Sequence, residues 1–152
     1  METKEDLILN WDFELWSTSP DNWNQWGWGT NTAVFTYPVT WKNSEKACKV
    51  EISSYVDWDA KRVHDMVAVT AGLEYSYTDW YKTNIDSELT VWYWDWANWT
   101  YSWKGSLWTT AWEWTKSSVT FTPPVWTTHC IMFHLIAWIW YLIIDRVKLK
   151  LA

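Results

Sequence analysis

Apolar and polar residues alternate along this chain in short stretches. Turn signals break them about every 8–12 residues, the spacing of a sandwich or barrel. The pattern predicts strands near 7–15, 33–39, 46–54, 61–70, 74–83, 87–94, 100–104, 115–122, 129–136 and 141–150. No segment of useful length carries a helical period. The most apolar run, "CIMFHLIAWIWYLII" from Cys130 to Ile144, is too short to cross a bilayer as a helix, and it contains His134. It reads better as two core strands joined by a tight turn at Ala137–Trp140. There is no internal repeat, low-complexity linker or long charge run.

Composition agrees with this pattern. Thr, Val, Tyr and Trp are abundant and Leu is scarce, as strands prefer. At 152 residues the chain reads as one domain over 1–152 with a real core. The net charge of -6 argues against a nucleic-acid or anionic-membrane partner. Cys48 and Cys130 could pair in an oxidising compartment, but buried free thiols are the plainer reading. The charged start, Met1 to Asp6, shows no signal-peptide pattern. Either a cytoplasmic protein or an internal piece of a longer exported one is expected.

One count does not fit. There are 19 Trp and 4 Gly, whereas average usage gives roughly 11 Gly in a chain of this length. Tight turns need positive φ, which Gly supplies. Trp stands where Gly is expected in "LILNWDFE" (Trp11), "VDWD" (Trp58), "ANWT" (Trp99) and "AWIW" (Trp138, Trp140). Trp41 and Trp126 lie in loops, and Trp16, Trp28 and Trp96 are further cases. Some bacterial lineages read UGA as Gly and others as Trp. Translating such a gene with the wrong table would give this excess. The alternative is a chain that is Trp-rich in fact.

With Gly in these places, "LILNWDFE" resembles the N-G-x-F-E start of carbohydrate-binding modules of families four, nine and twenty-two. "SPDNWNQW", "WKNSEKACKVEI", "VAVTAGLEYSYTDWYKTN", "WTKSSVTFTPP" and "WYLIIDRVKLK" follow in the order of such modules and cover nearly the whole chain. The sequence departs from that pattern at Asp79, where a small or apolar residue is usual. It departs again at Arg146, where a second Asp is usual. The resemblance implies an all-β fold, a β-sandwich jelly roll of two antiparallel sheets. It also implies a structural Ca2+ tying the first strand to the last through Asp12, Glu14 and Asp145. Without the resemblance these read as solvated carboxylates.

The function implied is noncatalytic binding of a polysaccharide such as β-glucan or xylan. Such a module serves an attached catalytic or surface domain, outside the cell or at its surface. Aromatic rings stack on sugar faces while polar groups bond the hydroxyl rim. The candidates are Trp23, Trp80, Tyr81, Tyr93 and Trp103, with Arg62 and His134 as polar partners. Trp80 and Tyr81 are neighbours on one strand, so they cannot line the same face. Each aromatic could instead be core, and Arg62 a solvated group. The alternative function is a structural or adhesive sandwich domain without sugar affinity. Catalysis finds little support. No spacing singles out a pair among Asp57, Asp59, Asp65, Asp79, Asp86 and Glu88. His64, His129 and His134 form no metal pattern, and nucleophile elbows and phosphate loops are absent.

Overall fold

A computed structural model describes residues 5–15, 19–40 and 46–152. It contains eleven strands and no helix among them. These are β1 (Trp23–Gly27), β2 (Asn31–Thr40), β3 (Lys46–Tyr55), β4 (Ala60–His64), β5 (Val67–Ala68), β6 (Tyr75–Thr83), β7 (Ser87–Trp94), β8 (Trp99–Leu107), β9 (Thr115–Phe121), β10 (His129–Ile136) and β11 (Trp140–Leu151).

They form two sheets that pack face to face as a β-sandwich. The first runs β1-β4-β10-β7-β8, with the short β5 also paired to β10, and the second runs β2-β3-β11-β6-β9. All pairings are antiparallel. The turn after β10 is therefore a crossing between sheets and not a hairpin, because β10 and β11 lie in different layers.

Alternation places the side chains. In β6, Tyr75, Tyr77, Asp79, Tyr81 and Thr83 are buried, and the residues between them are only partly so. The inner faces meet in one core that includes Val50, Ile52, Tyr77, Leu89, Val91, Met132, Leu142 and Leu149. Each such side chain stabilises the fold by about 1.5–3 kcal/mol through burial. Cys48 and Cys130 sit in this core as free thiols.

Two expectations need correction. The segment 7–15 is not a strand. Leu7 makes one ladder-like bond to Leu149, and the chain then turns at Asn10 (φ 51°) and Phe13 (φ 57°). Conversely, 23–27 is a strand, β1, that the apolar pattern does not reveal because four of its five residues are exposed. The left-handed residue of the opening turn is thus Asn10, and Trp11 beside it keeps an ordinary φ. Trp99, Trp126 and Trp138 also lack positive φ, whereas Trp58 and Trp140 have it. Trp16 and Trp41 lie outside the described residues.

Candidate functional site

The two outer faces differ. The outer face of the first sheet carries a second apolar cluster, Val63, Trp92, Ile131, Phe133 and Leu135. Trp92 is its hub. Ring centroids of Trp26, Tyr101, Phe133 and Trp99 lie 4.7, 4.9, 5.0 and 5.7 Å from that of Trp92. Register explains the grouping. Tyr101 pairs with Trp92 and Trp92 with Ile131, while Trp103 pairs with Thr90, so these side chains share one face. Trp26, Trp99 and Tyr101 form the exposed layer over Trp92, and Trp103 follows Tyr101 on the same face of β8, Tyr101 at 54% and Trp103 at 61% exposure. Water-facing aromatics gathered on one sheet face, from both of its edge strands, make that face a candidate binding surface.

Charge sits beneath the rings. Lys61 is fully buried, and its Nζ lies 2.6 Å from Asp59 Oδ1. The same ammonium lies 4.8 Å from the Phe133 centroid and 5.2 Å from that of Trp92. Burial lowers the Lys61 pKa, and Asp59 partly opposes this. At one end of the row a cavity of about 550 Å3 is lined by Trp28, Gly29, Trp58, Asp59 and Tyr101. Its walls are rings and its polar groups are few, the mixture that suits a sugar.

Only part of the predicted set lies here. Trp103 is on this face. Trp80 is half-buried on the outer face of the opposite sheet. Trp23 points inward instead, donating from Nε1 to the Asn10 carbonyl at 3.1 Å and packing on Phe13 and His64. Tyr81 and Tyr93 belong to the core. Tyr81 donates to the Trp108 carbonyl at 3.2 Å. Arg62 is also buried, with its guanidinium carbon 5.4 Å from the Phe35 centroid, and burial lowers its pKa. None of these four offers a surface to a ligand. Trp26, Trp99 and Tyr101 were missed. For Tyr101 the signal was available, since it lies two residues before Trp103 on the same strand.

His134 is buried too, in an arrangement with a familiar outline. Ser87 Oγ lies 2.6 Å from His134 Nε2, and His134 Nδ1 lies 2.8 Å from Asp79 Oδ2. Tyr77 donates to the same Asp79 oxygen at 2.8 Å, and Ser117 donates to the other. The order Ser–His–Asp is that of acyl-transfer enzymes. Here all three side chains lie between the sheets with 1% exposure or less. A substrate cannot reach Ser87, so the network is a satisfied polar core. It also accounts for Asp79, where the resemblance leads to the expectation of a small or apolar residue. His134, Tyr77 and Ser117 supply the partners a buried carboxylate needs.

Each of the three carboxylates expected to hold calcium accepts a backbone hydrogen bond. Glu14 Oε1 accepts from Lys46 N–H at 2.6 Å, Asp12 Oδ1 from Glu14 N–H at 3.4 Å, and Asp145 Oδ1 from Arg146 N–H at 2.7 Å. Among the described residues no three His, Cys, Asp or Glu side chains are placed to hold a metal. Nor, among those residues, is any helix long and apolar enough to cross a membrane.

No family model matches the sequence, and no curated protein matches it. Solved structures do. A structure described as "CBM4 structure and function" has a TM-score of 0.69 and 15% identity, over 95% of this chain and 99% of that one. The CBM22-1–GH10 modules of Clostridium thermocellum xylanase 10B, complexed with xylohexaose, have a TM-score of 0.71 and 19% identity. That match covers 97% of this chain and 29% of the other. TmCBM61 in complex with β-1,4-galactotriose has a TM-score of 0.65 and 17% identity, over 97% and 99% of the two chains. The chain spans 21% of the enzymatically active domain of bacteriophage CBA120 tailspike protein 4, at 13% identity and a TM-score of 0.66. At these identities the likeness is one of fold. The chain shares the jelly-roll β-sandwich of these structures.

Proposed function

We propose that this chain is a noncatalytic carbohydrate-binding module. Its ligand is a polysaccharide such as β-glucan or xylan, held on the outer face of the first sheet. The observation that carries this reading is the set of exposed rings Trp26, Trp99 and Tyr101 packed on the buried Trp92, with Trp103 beside them on the same face. Flat rings stack on the C–H faces of sugars. Strand-borne rings packed on a buried hub lose little freedom on binding, so little of the contact energy is spent on ordering. Asp59, at the cavity end of the row, bonds hydroxyls. Xylohexaose in one similar structure and galactotriose in another support a saccharide as ligand.

The module's job is then to hold an attached catalytic or surface domain close to its substrate, outside the cell or on its surface. The similar module joined to a GH10 domain supports that arrangement.

Calorimetric titration with xylohexaose and cellohexaose tests the reading. Saturable binding to one of them, abolished in a Tyr101→Ala/Trp103→Ala chain that stays folded, is expected. Absence of binding to these and to other neutral oligosaccharides would move the assignment to a structural or adhesive sandwich domain.

A further inference from the structure

Nine residues other than Gly hold positive φ among those described, and four of them are Trp: Trp58 (67°), Trp96 (77°), Trp112 (73°) and Trp140 (140°). A bulky side chain in this region is an outlier, because its Cβ crowds the backbone. Such strain persists where surrounding structure compels it. Here little does. All four indoles are more than half exposed.

The local turns show what three of these positions ask for. Thr110, Ala111, Trp112 and Glu113 make a turn closed by a bond from Glu113 N–H to the Thr110 carbonyl at 3.0 Å. Its central residues both have positive φ, 48° and 73°, the pattern of a type I′ turn, whose second central residue is typically Gly. Asp95 Oδ1 accepts from Ala97 and Asn98 N–H at 2.9 and 2.7 Å, bending the chain around Trp96. Asp57 Oδ1 accepts from Thr30 N–H at 2.5 Å, and Trp58 follows it. Both are Asp-then-left-handed pairs, where Asp-Gly is the common solution. Trp58 also lies against Gly29 so closely that a Cβ at 29 would collide with its ring. Three of the chain's four Gly hold positive φ as well, so they do this same work.

We infer that positions 58, 96, 112 and 140 carry glycine in the protein as its source makes it. This sharpens the set that sequence context suggests. Trp96 joins on equal footing and Trp112 is new, whereas Trp11, Trp99, Trp126 and Trp138 have no conformational need for glycine. UGA read as glycine in the source supplies the substitution without any change of gene. None of the four belongs to the sugar-facing set, since Trp26, Trp92, Trp99 and Trp103 lie in strands without positive φ. The cavity beside Asp59 and Tyr101 loses its indole wall at 58 and is wider in that protein.

Peptide mapping by mass spectrometry of the protein purified from its source cells decides the assignment. Glycine masses at the four positions are expected, and tryptophan at any of them overturns the assignment there. A second measurement reads the physical cause. The chain carrying W58G, W96G, W112G and W140G together is expected to melt about 10 °C or more above the chain as written, as several relieved left-handed residues would give. W92G, made at a buried strand position without positive φ, is expected to lower the melting point. A fourfold variant that melts no higher than the chain as written contradicts the strain argument.

Discussion

His134 Nδ1 lies 2.8 Å from Asp79 Oδ2, and both side chains are sealed between the sheets. The carboxylate also takes hydrogen bonds from Tyr77 and Ser117. In Asp79→Asn an amide N–H group replaces one of the two acceptor oxygens and faces donors across a buried site. Asp79→Asn is expected to cost about 3–5 kcal/mol. A urea titration checks it: the midpoint should fall with the slope unchanged. A loss under about 1 kcal/mol would mean the network contributes little.

The same burial makes a chemical prediction. Ser87 has the neighbours of a nucleophile but no access. The native chain should therefore remain unlabelled by a fluorophosphonate probe. Stoichiometric labelling of Ser87 would show a path to the network and reopen the question of catalysis.

His64 sets a pH dependence. Its Nε2 accepts from Met132 N–H at 2.9 Å and its Nδ1 lies 2.6 Å from the Asp65 carbonyl, so both ring nitrogens are used in the neutral form. Burial pushes its pKa down to about 4, and the bonds around it oppose this only in part. Unfolded His64 binds a proton near pH 6.5 and the folded one does not. Its neutral burial costs nothing above pH 6.5. Stability then falls as pH drops towards 4 and levels below it, by about 3 kcal/mol in all. Urea midpoints at pH 7 and pH 4 should therefore differ more in this chain than in a His64→Gln chain. Equal differences would remove His64 as the cause.

Cys48 and Cys130 should be inert. Burial raises both thiols to about 12, and the thiolate is the reactive form. Ellman's reagent should find no thiol in the native chain and two after denaturation. Fast reaction of the native chain would place one of them at the surface.

How far the sequence reveals all this depends on what each residue's surroundings decide. Strands announce themselves by alternation, so β3, β6, β7, β9, β10 and β11 are legible to within a residue or two. β1 is not, because "WNQWG" exposes four of five residues and shows no apolar period. "LILNWDFE" misleads in the other direction, since an apolar run says nothing of the left-handed turns at Asn10 and Phe13. Alternation also shows that Trp80 and Tyr81 face opposite ways, but not which way is in. That choice comes from partners far along the chain. Tyr81 is inside because His134 lies against it, 53 residues later (134 − 81), at 4.9 Å between rings. The same holds for Tyr93, Arg62 and Trp23, whose polar or aromatic character suggests a site while long-range packing makes them core. Trp103 is legible as a surface residue only once register sets it beside Thr90 on the outer face.

The central claim is that the exposed aromatic row holds a polysaccharide. Affinity electrophoresis through native gels containing xylan, β-glucan, mannan or no polysaccharide tests it most directly. The chain and its Tyr101→Ala/Trp103→Ala variant would run side by side, with Trp80→Ala, on the opposite sheet, as a control. Retardation of the chain and of Trp80→Ala by one polysaccharide is predicted. The double variant should be weakened by about 2 kcal/mol or more, some thirtyfold, and run nearly free. Equal retardation of all three would place binding elsewhere, and free migration of the folded chain in every gel would contradict the carbohydrate reading itself.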